Sequence, residues 1–186
     1  MSTAEGVFRN ATVADAPVLV DLIRSAYRGQ ASQRGWTSEA EFVDGDRIDQ
    51  SGVRELIDAP GPIMLILTDG MSVVACCQLQ DRGHGVVYLG TFAVNPGVQA
   101  RGVGRRVLAE AERTATTRYG ATRLKISVLD RQAQLISYYE RQGFHRTGET
   151  GPFPSDPIFA RPLVPDLHFV YLEKDVTTVT DADAHH

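Results

Sequence analysis

This 186-residue chain has little that would staple it, anchor it or draw it to a polyanion. Its two cysteines, Cys76 and Cys77, are neighbours. Adjacent residues on a strand point to opposite faces, so they read as small apolar fillers, with neither a disulfide framework nor zinc-ligand spacing. No apolar run approaches the roughly 18 residues of a membrane span, and the opening MSTAEGVF lacks the charged-then-apolar character of a leader. A cytoplasmic protein with no membrane partner is expected. The net charge of −4 provides no basic excess, which argues against nucleic acid as the main partner. His84, His145 and His168 are scattered, so no metal site and no Ser-His-Asp or Cys-His arrangement is expected. There are no repeats and no linker. Residues 1–176 are therefore expected to form a single domain, and the polar stretch 177–186, ending in His185 and His186, a disordered tail.

What is present centres on Val86 to Gly120. Val86 to Val94 is apolar on both alternating faces, as in a central strand covered on both sides. Simple alternation places Val86, Tyr88, Phe92 and Val94 on one face and Val87, Leu89, Thr91 and Ala93 on the other. Asn95-Pro96-Gly97 breaks the strand. From about Arg101 a helical stripe follows, Val103, Val107, Leu108, Ala111 and Ala115, until Gly120 stops it. Between them lies Gln99-Ala100-Arg101-Gly102-Val103-Gly104. Glycines allow close approach of a ligand, and the first turn of a helix presents unpaired N–H groups at the positive end of its dipole. This suits a phosphate or pyrophosphate, with Arg101, Arg105 and Arg106 adding charge. No Gly-Lys-Ser/Thr follows, so it is not a Walker loop, and Val107 stands where a dinucleotide fingerprint needs its third glycine.

In chain order, Val7 to Thr12 reads as a strand. A helix follows with Asp15 as cap, Pro17 in its first turn and a stripe of Val18, Leu22, Ile23 and Ala26. Ser38 and Glu41 have capping-box spacing and predict a second helix start, and Gly52 to Ala59 predicts a short helix. Ile63 to Thr68 and Ser72 to Gln80 form a hairpin across Asp69-Gly70, and Arg82 to Gly85 turns into the central strand. Arg123 to Leu129 predicts a strand parallel to Val86–Val94 by a right-handed crossover. Gln132 to Gln142 predicts a helix, Phe144 to Thr150 a strand, and Asp166 to Lys174 a last strand. The stretch from Gly151 to Pro165 holds five prolines and predicts irregular structure.

Gln99-x-x-Gly102-x-Gly104 after Ala93-Val94-Asn95-Pro96 resembles the acyl-CoA pyrophosphate loop of the GNAT acetyltransferases. The element order resembles theirs over Val7 to Asp175. The resemblance implies an α/β (α+β) fold with a mixed, mostly antiparallel sheet of six to seven strands. It implies a parallel pair at the acyl-CoA cleft and helices on both faces. It also implies an acyl-CoA-dependent N-acetyltransferase that moves an acetyl group from acetyl-CoA, as co-substrate, to a primary amine by direct attack. Cofactor-binding positions implied are Phe92, Ala93, Val94, Gln99, Ala100, Arg101, Gly102, Val103, Gly104, Arg105 and Gln132. At Gln132 the family often has asparagine. Main-chain groups near Phe92 and Val94 would hold the pantetheine arm and polarise the thioester.

Tyr139-Glu140-Arg141-Gln142-Gly143-Phe144 is similar to the family's Tyr-Glu-x-x-Gly-Phe helix ending, which makes Tyr139 the acid that protonates the departing thiolate. A tyrosine, pKa about 10, is protonated at neutral pH and can donate. Tyr138, about a hundred degrees round the helix, is the alternative. The glutamate base that many relatives carry on the central strand has no counterpart in Leu89-Gly90-Thr91-Phe92, which leaves the base open. The acceptor, a small-molecule or peptide amine, would meet residues 27–48 and 151–165. There Trp36, Phe153 and Arg161 are candidate contacts, and Glu39, Glu41, Asp44, Asp46 and Asp49 would favour a cationic amine. The competing readings are an idle acyl-CoA-binding module and a nucleotide-phosphate-binding regulatory domain. A homodimer is compatible with either.

Overall fold

The computed structural model describes residues 6–28, 32, 37–98 and 101–177. Gln99, Ala100, Trp36 and the stretch 178–186 lie outside the described residues. The elements are β1 (Val7–Asn10), α1 (Ala16–Tyr27), β2 (Val43–Asp44), α2 (Gln50–Asp58), β3 (Ile63–Asp69), β4 (Ser72–Asp81) and β5 (Val86–Val94). They continue with α3 (Val103–Tyr119), β6 (Arg123–Leu129), α4 (Ala133–Arg141), β7 (His145–Pro152), β8 (Arg161–Pro162) and β9 (His168–Asp175). Seven strands form one sheet in the order β1-β3-β4-β5-β6-β9-β7, and β2 and β8 form a separate ribbon. Neighbours in the large sheet run antiparallel except β5 and β6. The expected mixed sheet with one parallel pair and helices on both faces is the observed fold.

The parallel pair is short. Only Val86, Val87 and Tyr88 pair, with Arg123, Leu124 and Lys125, and beyond them the strands part. Each face of the sheet carries its own core. On one, Val103, Val107, Leu108 and Ala111 of α3 and Leu135 and Ile136 of α4 bury against Leu65, Leu79, Leu89 and Ile126. On the other, Leu19 and Ile23 of α1 and Val53 of α2 bury against Met64, Ile66, Cys76 and Ala93. Burial of such side chains contributes about 1.5–3 kcal/mol each. Cys76 and Cys77 fall into opposite cores as small apolar residues, and burial pushes the Cys76 thiol up to about 12.

Strict alternation along β5 fails at one place. The register slips between Cys76 and Gln78, and Thr91 has φ 45°. This is a β-bulge: extra backbone on β5 lies opposite Cys77 and reverses which face the later residues occupy. Phe92 and Val94 consequently join Val87 and Leu89 in the α3 core instead of following Tyr88.

Three other expectations are corrected. Val18 is exposed, because the buried face of α1 runs through Leu19, Leu22, Ile23 and Ala26, a turn-phase away from it. The Ser38 helix start does not form. Ser38 Oγ accepts from Ala40 N at 3.2 Å, and Phe42 and Val43 both donate to Glu39 O, so the chain turns and enters β2. The proline-rich stretch is partly regular: β7 extends to Pro152, and Arg161–Pro162 pairs with Val43–Asp44. Proline is tolerated there because a two-strand ribbon is all edge. Asp15 does stand at the start of α1, but its carboxylate turns back to Arg9 (2.8 Å to both nitrogens) and Thr12 N (2.8 Å). These bonds, the Arg9 guanidinium first, draw its pKa down to about 2.

Candidate active site

Two concavities border α4. The larger is a groove of about 730 Å³ between the start of α3 and the outer face of α4, lined by Gly102, Gly104, Arg105, Ser137, Tyr138 and Arg141. Gly102 is the cap of α3 and is left-handed, with φ 72°. A Cβ there would meet nothing closer than Arg105 Nη2 at 3.7 Å, so backbone conformation and not crowding requires the glycine. The helix opens onto the groove, and its first-turn amides at Val103, Gly104 and Arg105 have no carbonyl inside the helix to bond. Amides plus the Arg105 and Arg141 guanidiniums make a cradle of the right chemistry for a pyrophosphate. Arg101 is exposed just before the cap. Val103 faces the core, and Arg106 turns away, donating to Gly6 O at 3.2 Å.

The smaller concavity, about 220 Å³, lies where β5 and β6 part. Gly90, Thr91 and Phe92 form one wall and Ile126, Ser127 and Val128 the other, with Tyr139 and Gln132 from the α4 side and Tyr27, Glu39 and Arg47 opposite. Beyond Tyr88 the edge of β5 that faces β6 carries no strand partner, while Ala93 and Val94 pair on the other edge with Cys76 and Ala75. The Phe92 carbonyl accepts the Tyr27 hydroxyl.

Tyr139 is buried in an aromatic group, edge-on to Phe92 (6.2 Å between ring centres), Phe144 (5.4 Å) and Tyr138 (5.4 Å). Burial pushes its phenol well above 10. Among the described residues no hydrogen bond is made by its hydroxyl, so that O–H remains available to the cavity. Tyr138 looks the other way, into the groove. Burial raises its pKa, against Arg105 and Arg141, which lower it.

Gln132 precedes α4 and is buried. Its amide donates to Thr37 O at 3.1 Å and Ser38 O at 3.2 Å, tying α4 to the loop beneath α1. Those two donations go to protein carbonyls, which places the Gln132 amide in the cavity's far wall and not along the groove.

The acids expected to attract a cation are mostly occupied. Asp49 caps α2 by accepting from Gly52 N at 2.8 Å, Asp44 pairs with Arg161 and Asp46 with Arg24 (3.5 Å). Glu39 alone of them lines the cavity, and its Oε2 accepts from both Arg28 and Arg47 (3.0 Å for the latter). Arg47 also stacks on the Tyr27 ring, 3.6 Å from its centre. Arg161 therefore serves the β2–β8 ribbon, and Phe153 packs on Phe169, 5.7 Å away. Two cavity features escaped sequence reasoning. The Tyr88–Ser127 hydroxyl pair spans the parting strands, and its signal was legible as two polar positions in apolar strands. The Arg28–Glu39–Arg47 cluster had no such signal, since single charges in irregular chain carry no period. Among the described residues no group of three or more His, Cys, Asp or Glu could hold a metal. No helix among them is long and apolar enough to cross a membrane.

A split sheet with a glycine-capped helix at one side of the opening defines an acyl-CoA-type transferase architecture, and the comparisons give that architecture a family. Residues 20–144 match the model of the Acetyltransferase (GNAT) family. The chain belongs to that family. Its fold is shared with the ribosomal-protein-S18-alanine N-acetyltransferase from Escherichia coli (TM-score 0.66, 16% identity, 95% of this chain and 97% of that one). It is shared with the ribosomal-protein-alanine N-acetyltransferase from Brucella melitensis (0.65, 21%, 91% and 99%). It is also shared with yncA, a putative acetyltransferase from Salmonella typhimurium whose structure contains acetyl-CoA (0.65, 18%, 97% and 99%). Among curated proteins no sequence matches significantly.

Proposed function

We propose that the protein is an N-acetyltransferase that uses acetyl-CoA as co-substrate and a primary amine as acceptor, with Tyr139 as general acid. The observation that carries the reading is that one helix, α4, lines both concavities: Ser137, Tyr138 and Arg141 line the groove, and Leu135 and Tyr139 line the cavity. Helix-start amides and arginines stand in the groove on one side of α4, and a protonated, unengaged phenol stands at the gap in the sheet on the other. Gly102, Gly104 and Arg105 would hold the pyrophosphate, and the unpaired edge of β5 around Gly90 to Phe92 would hold the pantetheine arm by backbone hydrogen bonds. Acetyl-CoA, when bound, supplies the acetyl group as an activated thioester. Gln99 and Ala100 belong to the same proposed loop by sequence, as do Ala93 and Val94 to the same strand end.

The chemistry then balances without a covalent enzyme intermediate. The amine nitrogen bonds to the thioester carbon and the carbon–sulfur bond breaks. The nitrogen sheds one proton and the thiolate sulfur takes one from the Tyr139 hydroxyl. The proton shed by the amine goes to water, because the lining carries a single carboxylate, Glu39, with Oε2 already bonded to two guanidiniums. Tyr139 regains its proton from solvent.

Thermal shift of the full chain with acetyl-CoA, ATP and NAD, followed by thiol-release assays on an amine panel, tests the reading. Acetyl-CoA should raise Tm while ATP and NAD do not, and thiol release should require an amine. Stabilisation by acetyl-CoA with no turnover on any amine would favour an idle acyl-CoA-binding module. Stabilisation by ATP or NAD alone would overturn the assignment.

A further inference from the structure

The geometry points to an acceptor that carries a carboxylate, bound by Arg47 in the cavity that Tyr139 also lines. This rests on the acetyltransferase reading and narrows its acceptor to small amino acids.

Charge is the first ground. Arg28 and Arg47 converge on one oxygen of Glu39, so two guanidiniums share a single carboxylate and the cluster keeps one formal positive charge. Of the nearby carboxylates, Asp44 faces Arg161, Asp46 faces Arg24, Asp130 faces Arg131 and His168, and Asp49 is turned to Gly52 N at the start of α2; none of them lines the cavity. Every other lining side chain of the cavity is neutral. A surplus cation in a confined, poorly solvated space attracts an anion far more strongly than it would in water.

Geometry is the second ground. Arg47 and Glu39 line the cavity; Arg47 remains about a quarter exposed, whereas Glu39 and the Arg28 behind the lining are buried. Its Nη1 serves Glu39, and among the described residues its Nε and Nη2 donate to nothing. That leaves one edge of a planar fork, the edge suited to two parallel bonds to an oxyanion. The fork is also fixed in place. Its face lies on Tyr27, and its backbone, left-handed at φ 64°, donates to Phe159 O at 2.9 Å. A residue held at positive φ without being glycine stores strain, which surrounding structure must over-determine. The third ground is size. A cavity of about 220 Å³ falls below the roughly 300–1,000 Å³ of sites for drug-sized ligands. A space of that size suits the amine-bearing end of an amino acid.

The test assays the full chain with acetyl-CoA against the twenty L-amino acids, then against the carboxamide and the decarboxylated amine of each responder. Losing a charge-assisted hydrogen bond typically lowers binding by about 10–100-fold, so kcat/KM for both analogues should fall by that factor. Arg47→Met should raise KM for the amino acid about 10–100-fold, with a smaller change in kcat and an unchanged Kd for acetyl-CoA. Arg47→Lys retains a charge and a donor for Glu39 but lacks the fork, and should fall between. If Arg47→Met does not fold, the analogue series and Arg47→Lys still decide the question. Equal or better turnover of carboxamides, decarboxylated amines or polyamines overturns the inference, as does silence from all twenty amino acids while acetyl-CoA binds. Absence of acetyl-CoA binding overturns the acetyltransferase reading itself, and this inference with it.

Discussion

Tyr138 and Tyr139 are adjacent and chemically alike, yet one helical step sends one ring to the groove and the other into the sheet's gap. Their roles should differ accordingly. Tyr139→Phe keeps the ring edge-on to Phe92 and Phe144 but removes the donor, so kcat should fall by about 10²–10⁴-fold with little change in acetyl-CoA affinity or Tm. Tyr138→Phe should leave kcat nearly intact, and an exchange of the two phenotypes would transfer the acid role to Tyr138. The pH profile follows from the raised Tyr139 pKa. A general acid works while protonated, and burial keeps this one protonated beyond pH 10. So kcat/KM measured by thiol release should climb as the amine deprotonates and show no descending limb below about pH 10; a descending limb near pH 8–9 would remove Tyr139 from the role. At this scale the sequence told part of the story. Tyr139 was legible because its motif is contiguous, and Arg47 was not, because its importance comes from partners 8 and 19 positions away along the chain, Glu39 and Arg28.

Elements built on a single periodicity were the easiest to anticipate. Val103–Tyr119 and Arg123–Leu129 appear with the stripe and alternation that their residues spell out, because the buried face of the strand is apolar and that of the helix is apolar but for Thr114 and Thr116. Elements whose existence depends on distant pairing were missed. The β2–β8 ribbon joins two segments more than a hundred residues apart, each too short to show a pattern, and proline in one disguises it. The Ser38 region lost its predicted helix for the same reason: Gln132 claims the carbonyls of Thr37 and Ser38, and β2 claims Val43. The start of α3 gives an element-scale prediction. Gly104 is buried within the helix's first turn, lines the groove and does not sit at positive φ, so an aspartate can take its backbone conformation. Gly104→Asp should fold, place a carboxylate among the amides meant for phosphate and weaken acetyl-CoA binding at least about tenfold by calorimetry. Unchanged affinity in a folded variant would mean that the pyrophosphate lies elsewhere.

For the whole molecule, the order of helices and strands was readable while the way they share a strand was not. The chain must fill two cores, one on each face of the sheet, and β5 contributes to both, through Val87, Leu89, Phe92 and Val94 to one and Ala93 to the other. A period-two pattern assigns those residues wrongly by one step after Thr91, since a bulge leaves no mark in hydropathy. That bulge also decides which changes of length the strand accepts. Removing one codon at Gly90 or Thr91 takes out the extra residue, and plain alternation then keeps Phe92 and Val94 on the α3 face with Val87 and Leu89, and Ala93 on the α1 face. Deleting Thr91 should therefore leave a soluble, cooperatively melting protein, whereas inserting one alanine after Thr91 should abolish it by driving Phe92 and Val94 toward α1 and Ala93 toward α3. If the insertion melts like the parent, the cores are not phased by the bulge. The middle of this sheet can thus lose one residue and keep both cores, but cannot gain one.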